Sequence, residues 1–307
     1  MGTNDIDFSK SRRSMGSNIS DKEVIENVNQ IMKRLPQNVV STTQSSDELK
    51  VENVNISRDI IKCSKCGQSI SINENFIKSI KSNISTKFIV ALLKLPDFLK
   101  KYESNTCRDL VNFLAQSQIE TLGFTALTEN LNYTMKTFES GNGVYDISPT
   151  ILNDGFKRKG LGHYTKQQKI NYIEKYLMDN DKAYGFHSYG NESYPNNDYR
   201  GRGFMHFTHF DAYKDFTENT GINIVKTPTL LESDGEVALE TATWFWKNKN
   251  SGQILKETAK DTKDFQSDPV TTIVTKLVNG GDMALDRRKA AKRSIGSKFV
   301  KQYGVCK

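Results

Sequence analysis

Ala115-Gln-Ser-Gln-Ile-Glu120-Thr-Leu-Gly-Phe124-Thr-Ala-Leu-Thr-Glu129-Asn-Leu-Asn-Tyr133 sets two glutamates nine positions apart across an expected helix end. Upstream, Thr106 and Asp109 have the spacing of a capping box, and Gly123 supplies a stop. The spacing therefore predicts a helix from about Cys107 to about Leu122. Leu110, Phe113 and Leu114 form its apolar stripe. Glu120 lies seven residues beyond Phe113, which at about 100° per residue returns it to nearly the same azimuth. Glu120 is thus expected to face inward at the negative end of the helix dipole. Both circumstances disfavour a bare carboxylate, the condition a general acid needs. Glu129 falls beyond the helix in a segment rich in Thr, Asn and Tyr, where donors and water keep a carboxylate charged. It is the candidate base. Spacing alone also fits an ordinary solvated pair.

Further motifs follow in order along the chain. They are Tyr199-Arg-Gly-Arg-Gly-Phe-Met-His-Phe-Thr208, Ala242-Thr-Trp-Phe-Trp246, Val278-Asn-Gly-Gly281, and Asp286-Arg287. With the segment ending in Glu120 and the run Glu129-Asn-Leu-Asn-Tyr133, they resemble glycoside hydrolase family 19, the chitinases and phage endolysins of the lysozyme-like superfamily. The resemblance implies a mainly α fold: a lysozyme-like α+β hydrolase domain with a small β element beside the cleft, here preceded by a short N-terminal extension. It also implies an inverting reaction, with the two carboxylates roughly 6.5 to 9.5 Å apart. Glu120 would protonate the glycosidic oxygen and Glu129 would deprotonate the attacking water, which Thr208 helps to hold. Tyr133, Tyr199, Arg202, His206 and Asn279 would meet the sugar, and Arg287 would organise the surroundings of Glu120. Two residues depart from the family pattern, His206 where it has Gln and Ala212 where it has Asn. That substitution pattern keeps a weakened wall-binding module open as another reading.

The chain carries a formal net charge of +7 with 43 Lys and Arg against 36 Asp and Glu, which favours an acidic polymer as partner. Basic residues gather at Lys157-Arg-Lys159 and at Arg287-Arg-Lys-Ala-Ala-Lys-Arg293. Neither run has the aromatic interleaving or helix-turn-helix frame of a nucleic-acid module. Peptidoglycan or a chitin-like glycan is the expected partner, and the glutamate spacing resembles that of endolysins. No stretch is long and apolar enough for a membrane span. Nor does the N-terminus read as a secretory signal, so a wall-acting product would leave by lysis or a dedicated export apparatus. An immunity protein is an open partner.

Residues 1–67 are expected to form an extension and 68–307 the hydrolase domain. The first 18 or so residues read as disordered, followed by a helix with the stripe Val24, Val28, Ile31, Met32 and Leu35, and a short strand near Val51. Cys63-Ser-Lys-Cys66-Gly67 closes the extension and resembles half of a structural zinc site. A closed site needs two more ligands, and only Cys107 and Cys306 remain, both distant in sequence. A disulfide and free structural cysteines stay open as alternatives. No cofactor and no catalytic metal are implied. Downstream, helices are expected around Phe76 to Ile80, from Thr86 to Leu95, over residues 164–178 and from Val270 to Val278 with Asp268 as N-cap. The span Tyr184 to Asp198 reads as a long cleft loop, and Trp244, Phe245 and Trp246 as core.

Overall fold

A computed structural model describes residues 60–134 and 151–306, all within the compact unit Asn55–Lys307. The helix and strand expected before residue 57 lie outside the described residues. The protein is mainly helical, and among the described residues its strands form two short antiparallel hairpins. None of its described helices is long and apolar enough to cross a membrane.

Helix α4 (Cys107–Glu120) is the centre of the core. Thr106 caps it, accepting from the Asp109 N–H at 3.0 Å, while its hydroxyl donates to Asp109 Oδ2 at 2.6 Å. At the other end the N–H of Gly123, at φ +80°, returns to the Gln118 carbonyl. Leu110, Val111, Phe113, Leu114 and Ala115 are all buried, so this helix is covered on every side rather than along one stripe. Each such Leu or Phe contributes about 1.5–3 kcal/mol of burial free energy. Before it lie α1 (Glu74–Ile80), α2 (Thr86–Leu92) and α3 (Leu95–Lys101). The helix expected from Thr86 to Leu95 divides here because Pro96 enters the first turn of α3.

The hairpin β1 (Ile60–Lys62) and β2 (Ser69–Ser71) pairs Ile61 with Ile70. Both residues, and Cys63, are buried in the same core as α4. The stretch expected to end the extension is therefore packed into the main core.

The last helix, α13 (Leu285–Tyr303), lies antiparallel to α4 and makes the most extensive helix contact among the described residues. Its inward face repeats as Arg288, Lys292, Ile295 and Phe299. Lys292 is fully buried, with Nζ at 3.0 and 3.1 Å from the two Asp261 oxygens and 2.7 Å from the Ser267 carbonyl. Asn112 of α4 donates to the same Asp261 at 2.8 Å. Asp261 thus fastens α4, α13 and the loop between them. The basic run 287–293 is accordingly not a free cationic face, since Arg288 and Lys292 turn inward and Arg293 pairs with Asp268 at 2.7 Å. Arg158 likewise donates to the carbonyls of His187 and Ser188.

A second apolar cluster, Leu131, Leu152, Phe156, Ile173, Leu177 and Tyr184, joins α5 (Ile151–Arg158), α6 (Lys166–Tyr172) with the π-helical turn Ile173–Leu177, and α7 (Asp181–Tyr189). Gly155 lets α5 approach α7: a Cβ there would lie 2.1 Å from the His187 carbonyl oxygen. The span read as a cleft loop is instead α7 followed by the hairpin β3 (Gly190–Asn191) and β4 (Tyr194–Asp198). Asn180 caps α7 by accepting from Ala183 N–H, and packing buries Tyr184, Gly185, His187 and Ser188 despite their polar surroundings. A third cluster around Tyr199, Phe207, Tyr213 and Phe216 covers the other side of β4, between α8 (Phe210–Thr220) and α10 (Gly235–Asn248). Trp246 is buried at 0% exposure and meets Phe113 edge to face, with Trp244 and Phe245 half-buried beside it. Helix α12 (Asp268–Asn279) begins with Asp268 inside it, and Ser267 holds the cap position.

Candidate active site

Glu120 is the last residue of α4, and its side chain is 9% exposed. Oε1 lies 2.7 Å from Arg288 Nη2, and Oε2 lies 3.5 Å from His206 Nδ1. The Arg288 guanidinium is fully committed. It donates to Gln116 Oε1 at 2.6 Å and to the Met283 carbonyl at 3.1 Å, and its side chain is 3% exposed. Instead of the apolar wall expected from the helical stripe, Glu120 meets a guanidinium on one oxygen and an imidazole on the other. The contact expected of Arg287 is made by Arg288, because Arg287 sits about 100° round the helix and is exposed.

Glu129 is half-buried and locked to the segment 199–208 by two backbone links. Its N–H donates to the Gly201 carbonyl at 3.0 Å, and the Gly201 N–H donates to its Oε1 at 2.8 Å. The neighbouring isolated bridges Thr128 to Arg202 and Arg202 to Phe207 tie these segments together. Glycine suits the centre of this junction, since a Cβ on Gly201 would press on His206 Cβ at 3.0 Å and Thr208 Oγ1 at 3.2 Å. Gly201 therefore brings the two candidate carboxylates into one neighbourhood: its N–H holds Glu129, and its other side abuts the histidine that faces Glu120.

His206 adopts a left-handed φ of +43°, an uncommon conformation for a non-glycine residue. Its Nε2 is buried without a partner among the described residues. Thr208 is half-buried, and its hydroxyl donates to the His206 carbonyl. Tyr133 is half-buried, packed on Tyr184 with ring centroids 4.8 Å apart. Burial raises the phenols of Tyr133, Tyr184 and Tyr189, and the charge of Glu129 raises them further. This places Glu129 among three tyrosines, two of which, Tyr184 and Tyr189, sequence reasoning missed because their helix was taken for a loop.

Two expected sugar-binding residues are occupied elsewhere. Tyr199 is 0% exposed, donates to the Val225 carbonyl at 3.0 Å and packs edge to face on Tyr213. It is a core residue. Arg202 spends its guanidinium on Asp198, at 2.9 Å from Oδ1 and 2.8 Å from the carbonyl, and on Glu232. Arg200 joins the same network, 2.8 Å from Asp198 Oδ1 and 2.6 Å from Asp181 Oδ2. Against the burial that pushes it up, the two arginines hold the Asp198 carboxyl below the ordinary carboxylate range. Asp181 in turn accepts from the Leu131 N–H at 2.8 Å, which fixes the chain just beyond Glu129. A cavity of about 420 Å³ opens beside Glu129, bordered by Asn130, Lys182 and the edges of Arg200 and Arg202. Asn279 ends α12, and its Oδ1 accepts from the Gly281 N–H at 2.9 Å. The four cysteines meet at the opposite end of α4 from Glu120.

Residues 155–303 match the sequence profile of chitinase class I, family 19. "Chitinase 11" of Oryza sativa subsp. japonica is 26% identical over 160 residues, covering 49% of this chain and 62% of the rice protein. The match therefore spans less than two thirds of that relative. Among solved structures, chitinase C from Streptomyces griseus superposes with a TM-score of 0.43 at 17% identity, covering 76% of each chain. A bacterial family 19 chitinase superposes with a TM-score of 0.37 at 16% identity, covering 73% of this chain and 95% of the other.

Proposed function

We propose that the chain is a glycoside hydrolase of family 19, the family whose model its residues 155–303 match, and that it hydrolyses β-1,4 links of an N-acetylhexosamine polymer by an inverting acid/base mechanism, with peptidoglycan as substrate. The matched segment stops short of both glutamates, so their roles rest on geometry. One observation carries the reading: Gly201, His206 and Arg288, all inside the matched segment, converge on Glu129 and Glu120, which lie outside it.

The chemistry follows from which oxygens are free. Arg288 Nη2 forms an ion-pair contact with Glu120 Oε1, and Oε2, on the His206 side, is assigned the proton delivered to the leaving glycosidic oxygen. The Gly201 N–H claims Glu129 Oε1, which leaves Oε2 to accept a proton from water. Water then attacks the anomeric carbon from the face opposite the leaving group, and each carboxyl ends the step in the other's protonation state. Thr208, beside Gly201, is the water-positioning candidate, and the half-buried His206 carries an unpartnered ring nitrogen beside Glu120. Tyr133 offers an aromatic face at the edge of this group. Asn279 remains a candidate sugar ligand.

Peptidoglycan is favoured by the endolysin-type glutamate spacing and by the net charge of +7, which would concentrate the protein on a wall rich in carboxylates. Chitin is the second reading, favoured by the rice relative. Release of soluble sugar from purified sacculi and from colloidal chitin separates them. Faster release from sacculi supports the first substrate, faster release from chitin the second, and release from neither overturns the hydrolase assignment.

A further inference from the structure

Four thiols scattered through the sequence meet at one point. The Sγ atoms of Cys63, Cys66, Cys107 and Cys306 all lie within 4.8 Å of one another. Cys66 Sγ is 3.7 Å from Cys107 Sγ and 3.9 Å from Cys306 Sγ. A tetrahedral zinc with Zn–S bonds of about 2.3 Å has S–S edges of about 3.8 Å. A disulfide needs about 2.05 Å. The two Cys66 spacings match such edges, and the remaining pairs lie within 4.8 Å.

The backbone around the cluster has the form that thiolate ligation uses. Gly67, at φ +72°, sends its N–H to the Cys63 carbonyl at 2.8 Å, and the Cys63 N–H reaches the Gln68 carbonyl at 2.8 Å. This tight turn sets Cys63 and Cys66 on one side of the β1–β2 hairpin. Cys107 is the first residue of the 14-residue helix α4, and its N–H points at Cys63 Sγ at 3.4 Å. That N–H gives Cys63 Sγ a backbone donor, the kind of outer contact that orients a ligating atom. Cys63, Cys107 and Cys306 are at most 1% exposed, which suits a closed structural centre rather than an open catalytic one.

We propose that these four cysteines bind one structural zinc ion. As Zn²⁺ binds, four S–H protons leave and four Zn–S bonds form, with no change of oxidation state. The ion ties three distant parts of the chain: the β1–β2 hairpin, the start of α4 and the residue three past the end of α13. Its effect would reach the candidate site through α4 and α13. At one end of that antiparallel pair Arg288 holds Glu120, and at the other, about 20 Å away along α4, the metal would join Cys107 to Cys306.

The test uses the full chain, expressed without a metal-binding tag in zinc-supplemented medium and analysed by elemental mass spectrometry. About one zinc per chain is expected, released in proportion as an organomercurial titrates four thiols. Replacement by cobalt(II) should give the intense sulfur-to-metal charge-transfer absorption of four thiolates. Cys107→Ser and Cys306→Ser should each lower zinc content at least about tenfold. A strong chelator should lower the unfolding midpoint of the native protein by more than about 5 °C. Metal-free protein with four free thiols, a disulfide between any two of them, or iron in place of zinc would each overturn the assignment. Metal content of the unsubstituted protein is independent of how well the variants fold, and of whether the protein cleaves any glycan.

Discussion

Arg288 and Glu120 meet at 2.7 Å where the start of α13 crosses the end of α4, and both side chains are nearly sealed from solvent. The guanidinium also binds Gln116 and the Met283 carbonyl, so one residue sets the position of the candidate acid against two turns of its own helix. A lysine cannot reproduce that planar fork. Arg288→Lys should lower kcat about tenfold to a hundredfold with little change in KM, as expected when a reacting group is displaced by about 1 Å. Arg287→Lys should stay within about twofold of the parent, since a conservative change at an exposed residue removes no buried contact. Equal effects from the two substitutions would remove Arg288 from the mechanism.

Glu120→Gln keeps the shape of the side chain and removes its proton chemistry. Hydrolysis should fall by about 10²–10⁴-fold while the circular dichroism spectrum is retained. Glu129→Gln should fall comparably, and added azide should restore part of the turnover, yielding a glycosyl azide of inverted configuration. Full activity in the second variant would show that Glu129 does not activate water.

His206 stands where the family pattern has Gln, and its ring Nε2 has no protein partner among the described residues. His206→Gln should preserve or raise turnover, because an amide also reaches the sugar with a donor and an acceptor. Ala212→Asn should behave in the same direction. If His206→Gln abolished turnover in a folded protein, the imidazole beside Glu120 would have a role that the amide cannot fill.

Stability should weaken in mild acid. Burial holds the His187 imidazole down to about 4, with its Nε2 on the Leu152 carbonyl at 3.1 Å. The unfolded chain takes up this proton near pH 6.5 and the folded chain only near 4, so folding loses stability as pH falls through that window. The loss amounts to about 3 kcal/mol, constant below pH 4 and absent above 6.5. Denaturation midpoints measured across that range should decline for the parent and decline less for His187→Gln.

Lys292→Met should leave Asp261 buried beside Asn112 without its counter-ion. The expected cost is about 3–5 kcal/mol in denaturant unfolding. Adding Asp261→Asn in the same chain should recover much of it. Strict additivity of the two losses would show that the pair is not coupled.

Much of the α4 region is legible in the sequence, because its cap, its apolar residues and its terminal glycine act locally. The Tyr-Arg-Gly-Arg-Gly stretch also announces a special backbone, and Gly201 shows why: a Cβ there would crowd His206 and Thr208. What the sequence hides is set by tertiary packing. Arg287 and Arg288 differ by one step of a helix, and nothing local says which of two adjacent arginines turns inward. Tyr199 carries the motif yet lies in the core, since aromatic side chains serve packing and sugar stacking equally well. Helix α7 is polar and glycine-bearing, and it holds because Asn180 caps it and Gly155 and Gly185 let its neighbours come close. Cys107 and Cys306 are remote from Cys63 in the chain and adjacent in space, because α4 and α13 run antiparallel. Spacing in sequence cannot reveal that.

The central claim is that Glu120 and Glu129 act on one glycosidic bond from opposite faces, and the stereochemistry of the first product tests it most directly. Proton NMR of the parent protein digesting a soluble β-1,4 N-acetylhexosamine oligomer should show the α-anomer of the new reducing end first, with the β-anomer growing in only by mutarotation. Initial release of the β-anomer would mean retention through a covalent intermediate, and would contradict the assignment of Glu129 as the base that activates water.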